Sequence, residues 1–320
     1  MLIIKTNDNP FFITMAKGAK EAAAANNIDL TVVAGKKEGD VDTQISAIQD
    51  AVSSGTKGIL ITPNGQGVND AIAKARAAGV YVIALDTAPD PANAVDITFA
   101  TDNFLAGKLI GQWAAKTMGG KHAVIALIDL FNDKIVSVDY NRDQGFLTGM
   151  GIDVKDPKKN GDEAKTGKYS GGDYEIVCNE PAMGNAGGGR TAMENCLSKN
   201  KNINLVYTLN EPTADGAYQS LKAAGITNAV IVSVDGGCNP GLTLVKSGVI
   251  GATSQQYPLL MASKGIEAIK AFAANGAKPA VSDGLDFFNT GVQLITDKPV
   301  DGVPSITSDE GTKVCWGPSK

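Results

Sequence analysis

The chain has 320 residues, 43% hydrophobic and 20% charged, with a formal net charge of −5. This is the composition of an ordinary globular protein long enough for two lobes rather than one core. The acidic balance and the lack of a basic stripe exclude nucleic acid as a partner, and no apolar run approaches the roughly 20 residues of a membrane span, which excludes direct insertion into a bilayer.

The chain opens on an apolar strand, Leu2-Ile3-Ile4, followed by Lys5-Thr6-Asn7-Asp8-Asn9-Pro10-Phe11-Phe12 and a helix over 13–25. A strand ending in amides, a carboxylate and two aromatics is an odd start for a core and a sensible one for a cleft. In open parallel α/β sheets ligands sit beyond the carboxyl ends of the strands, where Asn9 can both donate and accept and Phe11 and Phe12 offer flat apolar faces. Polar edges beside aromatic faces suit a sugar, whose hydroxyls point sideways and whose C–H groups form apolar patches. No signal peptide stands at the start, and Met1 is followed at once by what reads as half a strand. The expectation is that an original N-terminus was removed and a start Met added.

Further strands are predicted over 30–33, 58–62, 81–85 and 97–100, with helices over 42–52, 68–78 and 105–118, stopped or capped by residues such as Gly55 and Gly79. A looser segment over 88–94 holds Pro89 and Pro91. Strands over 124–128, 175–177, 205–208 and 230–234 repeat the pattern, and a helix over 259–275 precedes an extended piece over 285–295 and a Pro/Gly-rich tail. Short β-branched runs alternating with Ala-rich helices predict parallel sheets covered by helices on both faces. The stretch 153–173, rich in Gly, Lys and Asp, reads as a surface insertion.

The informative regularity is polar residues at the strand ends: Asn9, Thr62, Asp86, Asp102, Asp129, Asn210, Asp235 and Gln256. Any one of them alone is turn chemistry. Eight of them in two sets point to a binding site.

Two motifs are tempting and fail. Gly65-Gln66-Gly67-Val68-Asn69-Asp70 sits where a dinucleotide fingerprint would, but Asp70 replaces the small third residue with a carboxylate wrong in size and charge for a pyrophosphate. Gly184-Asn185-Ala186-Gly187-Gly188-Gly189-Arg190-Thr191 puts Arg where a P-loop has Lys, and reads better as a flexible glycine loop at a helix N-terminus. His122 is the single histidine and lies at the wrong end of its strand for catalysis. No two-histidine metal motif occurs, and 156–162 lacks the alternating carboxylates of an EF-hand. Asp86 and Asp235 could in principle serve glycoside chemistry, but two carboxylates accepting sugar hydroxyls need fewer assumptions. No catalytic residue, cofactor or metal is expected.

Four cysteines fit either buried thiols or two disulfides in an exported protein, and none has the C-x-x-C spacing of zinc or redox sites. Cys178 ends a strand-like run with Cys196 in the next helix, and Cys238 follows a strand end with Cys315 near the C-terminus. The preferred pairing is Cys178–Cys196 with Cys238–Cys315.

With these residues collected, the chain resembles the periplasmic solute-binding proteins of sugar ABC transporters, of the ribose-binding type and most like a fructose-binding member. The resemblance covers nearly the whole chain. It is carried by Asn9-Pro10-Phe11-Phe12, Ile83-Ala84-Leu85-Asp86, Ala100-Thr101-Asp102-Asn103, Arg142-Asp143-Gln144-Gly145-Phe146, Asn210-Glu211, Val234-Asp235-Gly236 and Gln256-Tyr257-Pro258.

The resemblance implies an α/β protein with two doubly wound parallel-sheet lobes, 1–102 plus 257–289 and 103–256 plus 290–320, joined by a three-segment hinge and closing over a monosaccharide. It further implies a periplasmic monomer that delivers its ligand to a membrane ABC permease and is not an enzyme. Asn9 would bond hydroxyls, Phe11 and Phe12 would border the ring, Asp86 and Asp235 would accept from hydroxyl pairs, Arg142 would fork onto neighbouring oxygens, and Asn210 and Gln256 would supply amide contacts. Thr87 stands where ribose-type members commonly carry Arg, Thr62 replaces a strand-end amide with Asn64 nearby, and the second-lobe aromatic falls in Met183-Gly184-Asn185. Lys5, at a strand end, could replace lost donors. These departures suggest a ligand larger than ribose, a ketohexose such as fructose. Rival readings are the effector domain of a lactose-repressor-type regulator, which shares the fold, and an α/β enzyme acting on a sugar or nucleotide.

Overall fold

A computed structural model describes residues 1–318. In chain order the elements are β1 (Leu2–Ile4), α1 (Pro10–Ala25), β2 (Val32–Ala34), α2 (Val41–Ser53), β3 (Gly58–Ile61), α3 (Asn69–Ala77), β4 (Tyr81–Leu85), β5 (Ile97–Ala100), α4 (Asn103–Met118), β6 (Ala123–Asp129) and α5 (Ser137–Met150). There follow β7 (Thr166–Tyr169), β8 (Gly172–Pro181), α6 (Ala186–Lys199), β9 (Leu205–Thr208), α7 (Glu211–Ala223), β10 (Val230–Asp235), α8 (Thr243–Lys246), β11 (Ala252–Gln255), α9 (Pro258–Asn275), β12 (Phe288–Asn289), β13 (Gln293–Ile295) and α10 (Ser308–Gly311). Among the described residues no helix is long and apolar enough to cross a membrane.

The first compact unit comprises Met1–Thr101, Val136–Val138 and Tyr257–Gly291. Its sheet is parallel throughout, in the order β12-β5-β4-β3-β1-β2. Leu2, Ile3 and Ile4 are buried as a run rather than alternating, as expected of a parallel strand covered on both faces. Ile3, Ile59, Ile61, Val82 and Ala84 share one apolar cluster with Ile48 and Ile72 of the flanking helices. Tyr81 stacks on Phe272 of α9 at 4.2 Å between ring centroids.

The second unit comprises Asp102–Ile135, Asp139–Gln256 and the chain from Val292 onward. Its sheet runs β13-β11-β10-β9-β6-β8-β7, parallel in the middle and antiparallel only where β13 and β7 form the edges. The chain therefore consists of two α/β lobes with parallel sheets. The extended piece over 285–295 is divided between them: β12 pairs with β5 in the first, and β13 with β11 in the second.

Helix α1 starts at Pro10, three residues before the predicted start, because the Asn9 side chain accepts from Phe11 N at 2.9 Å and proline suits the first helical position. Helix α5 was not visible in the sequence at all. Its apolar stripe is replaced by glycines that let it meet α4 backbone to backbone: a Cβ on Gly107 would stand 2.0 Å from Arg142 O, and one on Gly145 2.2 Å from Phe104 O. Gly187 to Gly189 lie not in a loop but in the first turns of α6, where a Cβ on Gly189 would stand 2.3 Å from Thr213 O of α7. The stretch 153–173 is only partly a surface insertion, since β7 pairs with β8 and Glu163 is buried.

Two disulfides are formed, Cys178–Cys196 and Cys238–Cys315. The first ties β8 to α6, and the second ties the segment after β10 to the C-terminal region.

Candidate functional site

In the first unit, the ends of β1 and β4 carry the polar residues expected of a site. Lys5 is buried and forms an ion pair with buried Glu38, Nζ to Oε1 at 3.2 Å. The same ammonium lies 5.8 Å from the centre of the Phe12 ring, within range of a cation–π contact. Phe11 and Phe12 sit in the first turn of α1, both buried, edge to face at 5.4 Å. Asn9 uses its Oδ1 as the cap of that helix. Burial pushes the Glu38 carboxyl above its ordinary range, and Lys5 opposes the shift.

Asp86 follows β4 with a positive φ of 65°, and accepts from Thr87 Oγ1 at 2.7 Å. Thr87, where an arginine was looked for, is thus turned onto the aspartate. Asn64 is occupied elsewhere: its Oδ1 accepts from Gly39 N and its Nδ2 donates to Asp40 O, which pins the turn that carries Glu38. Thr62 Oγ1 is buried without a hydrogen-bond partner.

In the second unit, Arg142, Asp235 and Gln256 are gathered. Arg142 donates from Nε to Asn103 Oδ1 at 2.7 Å and from Nη1 to Leu209 O at 2.9 Å, and its Nη1 lies 3.8 Å from Asp235 Oδ1. Gln256 donates from Nε2 to that same oxygen at 2.8 Å and from its backbone N to Asp235 O. All three side chains are buried. Asp235 also has positive φ, 148°, so two of the four non-glycine residues with positive φ among the described residues, with Asn27 and Met183 the others, are the aspartates singled out from the sequence. Backbone strain of this kind collects at functional sites.

Asn210 caps α7, its Oδ1 accepting from Thr213 N and its Nδ2 donating to Gly184 O. One N–H of the amide remains for a further partner.

Glu211 went unremarked in the sequence beyond its place beside Asn210. It accepts from Gly236 N at 2.8 Å, Gly237 N at 3.0 Å and Thr253 Oγ1 at 2.8 Å, holding the turn that follows Asp235. Burial, followed by the Asp235 charge, pushes its carboxyl up to about 8. Its position one residue after a strand-end amide was a usable signal. Glu38 had none, lying in a Lys-Lys-Glu-Gly turn like many surface turns.

His122 is exposed just before β6. Arg190 donates to Gln219 on the surface of the α6–α7 pair, so the residue in the P-loop lysine position has a local partner.

The sequence profile of a family described as "periplasmic binding protein domain" matches residues 1–278. The chain is 30% identical over 308 residues to the xylitol-binding protein of Mycolicibacterium smegmatis, covering 94% of this chain and 75% of that one. It is 28% identical over 267 residues to the ribose import binding protein of Salmonella typhimurium, covering 83% and 81%. Among solved structures, an ABC transporter solute-binding protein from Agrobacterium vitis with bound D-fucose superposes with a TM-score of 0.78 at 23% identity, covering 98% of this chain and 99% of the other. At that identity the likeness is one of fold.

Proposed function

We propose, from the premise that this chain belongs to the periplasmic binding protein domain family, that it is a receptor which captures a neutral monosaccharide and hands it unaltered to an ABC permease. The observation that carries this reading is the buried Arg142–Asp235–Gln256 array. It combines donors and acceptors at a strand end, with the Gln256 Oε1 buried and unpartnered. Charged partners make the stronger hydrogen bonds to hydroxyls, and a ligand lacking one of those hydroxyls leaves a buried group unsatisfied, which is a source of selectivity.

On this reading Lys5, Asn9, Phe11, Phe12 and Asp86 serve the sugar from the first unit, and Arg142, Asn210, Asp235 and Gln256 from the second, with closure by hinge motion. The first ligand to test is a ketohexose such as fructose. Support comes from Thr87 and Thr62 where larger polar side chains were looked for, and from the buried Lys5 donor beside Phe12. Two disulfides support residence in an oxidising compartment, the periplasm.

The test is a thermal-shift panel of monosaccharides, pentoses and hexoses alike, with nucleotides as controls, since a ligand of the native state raises the unfolding midpoint by mass action. A rise with one or a few sugars is expected. A rise with nucleotides and with no sugar overturns the reading, and a rise with ribose but not fructose overturns the ketohexose.

A further inference from the structure

The backbone of Asp235 is in a costly conformation, with a φ of 148°, and such a residue persists only where its surroundings over-determine it. The peptide that joins Asp235 to Gly236 is held at both ends. Its N–H donates to Glu211 Oε1 at 2.8 Å, and its carbonyl oxygen accepts from Gln256 N at 2.8 Å and from the indole Nε1 of Trp316 at 3.0 Å. Glu211 opens α7 and Gln256 follows β11, both beside β10. Trp316 arrives from 81 residues further along the chain, in the tail after α10.

That tail is anchored step by step up to the indole. Helix α10 opens on a capping box between Thr307 and Glu310, and Ser308 donates from N and Oγ to the Asp297 carboxylate at 2.7 and 2.8 Å. A Cβ on Gly311 would stand 3.0 Å from Ile295 of β13 and 3.1 Å from Leu242, so the helix is seated closely on the sheet edge. Cys315 N donates to Gly311 O at 2.8 Å, and Cys315 is bonded in turn to Cys238. Past the disulfide, Trp316 runs beside Gly237 as a parallel bridge, and its carbonyl oxygen accepts from Cys238 N at 2.9 Å. The side chain is buried, and a Cβ on Gly237 would stand 3.2 Å from its Cη2. A buried indole N–H takes a hydrogen-bond partner. Here that partner is the main chain of a strand-end aspartate rather than any group of the tail itself.

We propose that Trp316 is a positioning residue for Asp235: the disulfide-held tail lays its indole N–H on the Asp235 carbonyl and thereby fixes the direction in which the carboxylate meets a sugar hydroxyl. The proposal rests on the reading of Asp235 as a sugar ligand. Trp316 acts through the aspartate and needs no contact with the sugar. The two disulfides then have different duties. Cys178–Cys196 ties β8 to α6 and serves stability alone, whereas Cys238–Cys315 also keeps Trp316 in register with Gly237 and so serves affinity.

The experiment measures Kd on the full chain by titration calorimetry, at a temperature where every variant is folded, with D-fructose or, should the wild type not bind it, with the panel sugar that it does bind. Trp316→Phe keeps an aromatic ring and removes the N–H. It is expected to raise Kd about 3- to 10-fold, and to add nothing on top of Asp235→Ala, because two changes that act through one group are not additive. Cys238→Ala with Cys315→Ala is expected to raise Kd as well, and Cys178→Ala with Cys196→Ala to leave it unchanged, although both pairs lower the unfolding midpoint. A tail that served stability alone would move the midpoint and not the Kd. A wild-type Kd in folded Trp316→Phe, an equal further loss on the Asp235→Ala background, or equal Kd values for the two disulfide pairs overturns the positioning role. If Trp316→Phe fails to fold, or the double variant binds too weakly to titrate, the two disulfide pairs carry the test. A wild-type chain that binds no sugar of the panel fails the receptor reading and the proposal with it, whereas a binding wild type with unaffected variants fails the proposal alone.

Discussion

Gln256 donates from Nε2 to Asp235 Oδ1 at 2.8 Å while its own Oε1 is buried and unpartnered. The amide thus fixes the carboxylate and offers an acceptor of its own. Asp235→Ala is expected to weaken sugar binding by about 2–3 kcal/mol, roughly 30- to 150-fold in Kd, with the far-UV spectrum unchanged. Titration calorimetry of the variant with the sugar that stabilises the wild type is the check, and an unchanged Kd removes Asp235 from the site.

Gly107 faces Arg142 across the α4–α5 contact, where a Cβ would stand 2.0 Å from the arginine's carbonyl oxygen. Gly107→Ala therefore has to push the helices apart at the very residue that carries the guanidinium. A cost of about 2–3 kcal/mol in stability is expected from overpacking, together with a loss of at least about tenfold in sugar affinity, as Arg142 is drawn from Asn103 and Leu209. A variant with wild-type melting and affinity would show that the helices are not held this closely.

Strands β4, β5 and β9 cover the same residues that hydrophobic runs and flanking turns predict, because parallel strands buried on both faces leave a continuous apolar signature. Helix α5 left none: its packing surface is glycine backbone, which no apolar periodicity reports. The site shows the same division. Asp86, Asp235 and Gln256 end strands and could be named from position alone, whereas Arg142 needed the resemblance. Glu38 and Glu211 act by holding a lysine and a backbone turn, roles that exist only once distant segments meet.

The two disulfides close loops of different size, with sequence separations of 18 and 77 residues. On the chain-entropy account the shorter restrains the unfolded chain by about 3 kcal/mol and the longer by about 4–5 kcal/mol. Paired replacement Cys238→Ala with Cys315→Ala is expected to lower the unfolding midpoint more than Cys178→Ala with Cys196→Ala. Equal or reversed losses in a denaturant titration would show that packing around Cys178 and Cys196, rather than loop length, sets the cost.

Glu211 gives the fold a pH dependence of known sign. Its carboxyl titrates near 4.5 in an unfolded chain and at about 8 in the fold, where burial and then Asp235 disfavour its charge. Between those values the native state holds a proton that the unfolded state has released, so this residue's contribution to stability is full below about 4.5, falls as pH rises, and is lost above about 8. Glu211→Gln cannot ionise, and it also turns an NH₂ toward one of the donors now bound by the carboxylate, Gly236 N, Gly237 N or Thr253 Oγ1. The variant is expected to be less stable at pH 5, by about 1–3 kcal/mol for the unsatisfied donor, and to lose less stability than the wild type on going to pH 8. Asp235→Asn removes the second cause of the shift, so the decline should end at a lower pH and be smaller in total. Denaturant melts of the three proteins across pH 4.5–9 decide the matter: parallel curves for wild type and Glu211→Gln would mean that the proton is held elsewhere.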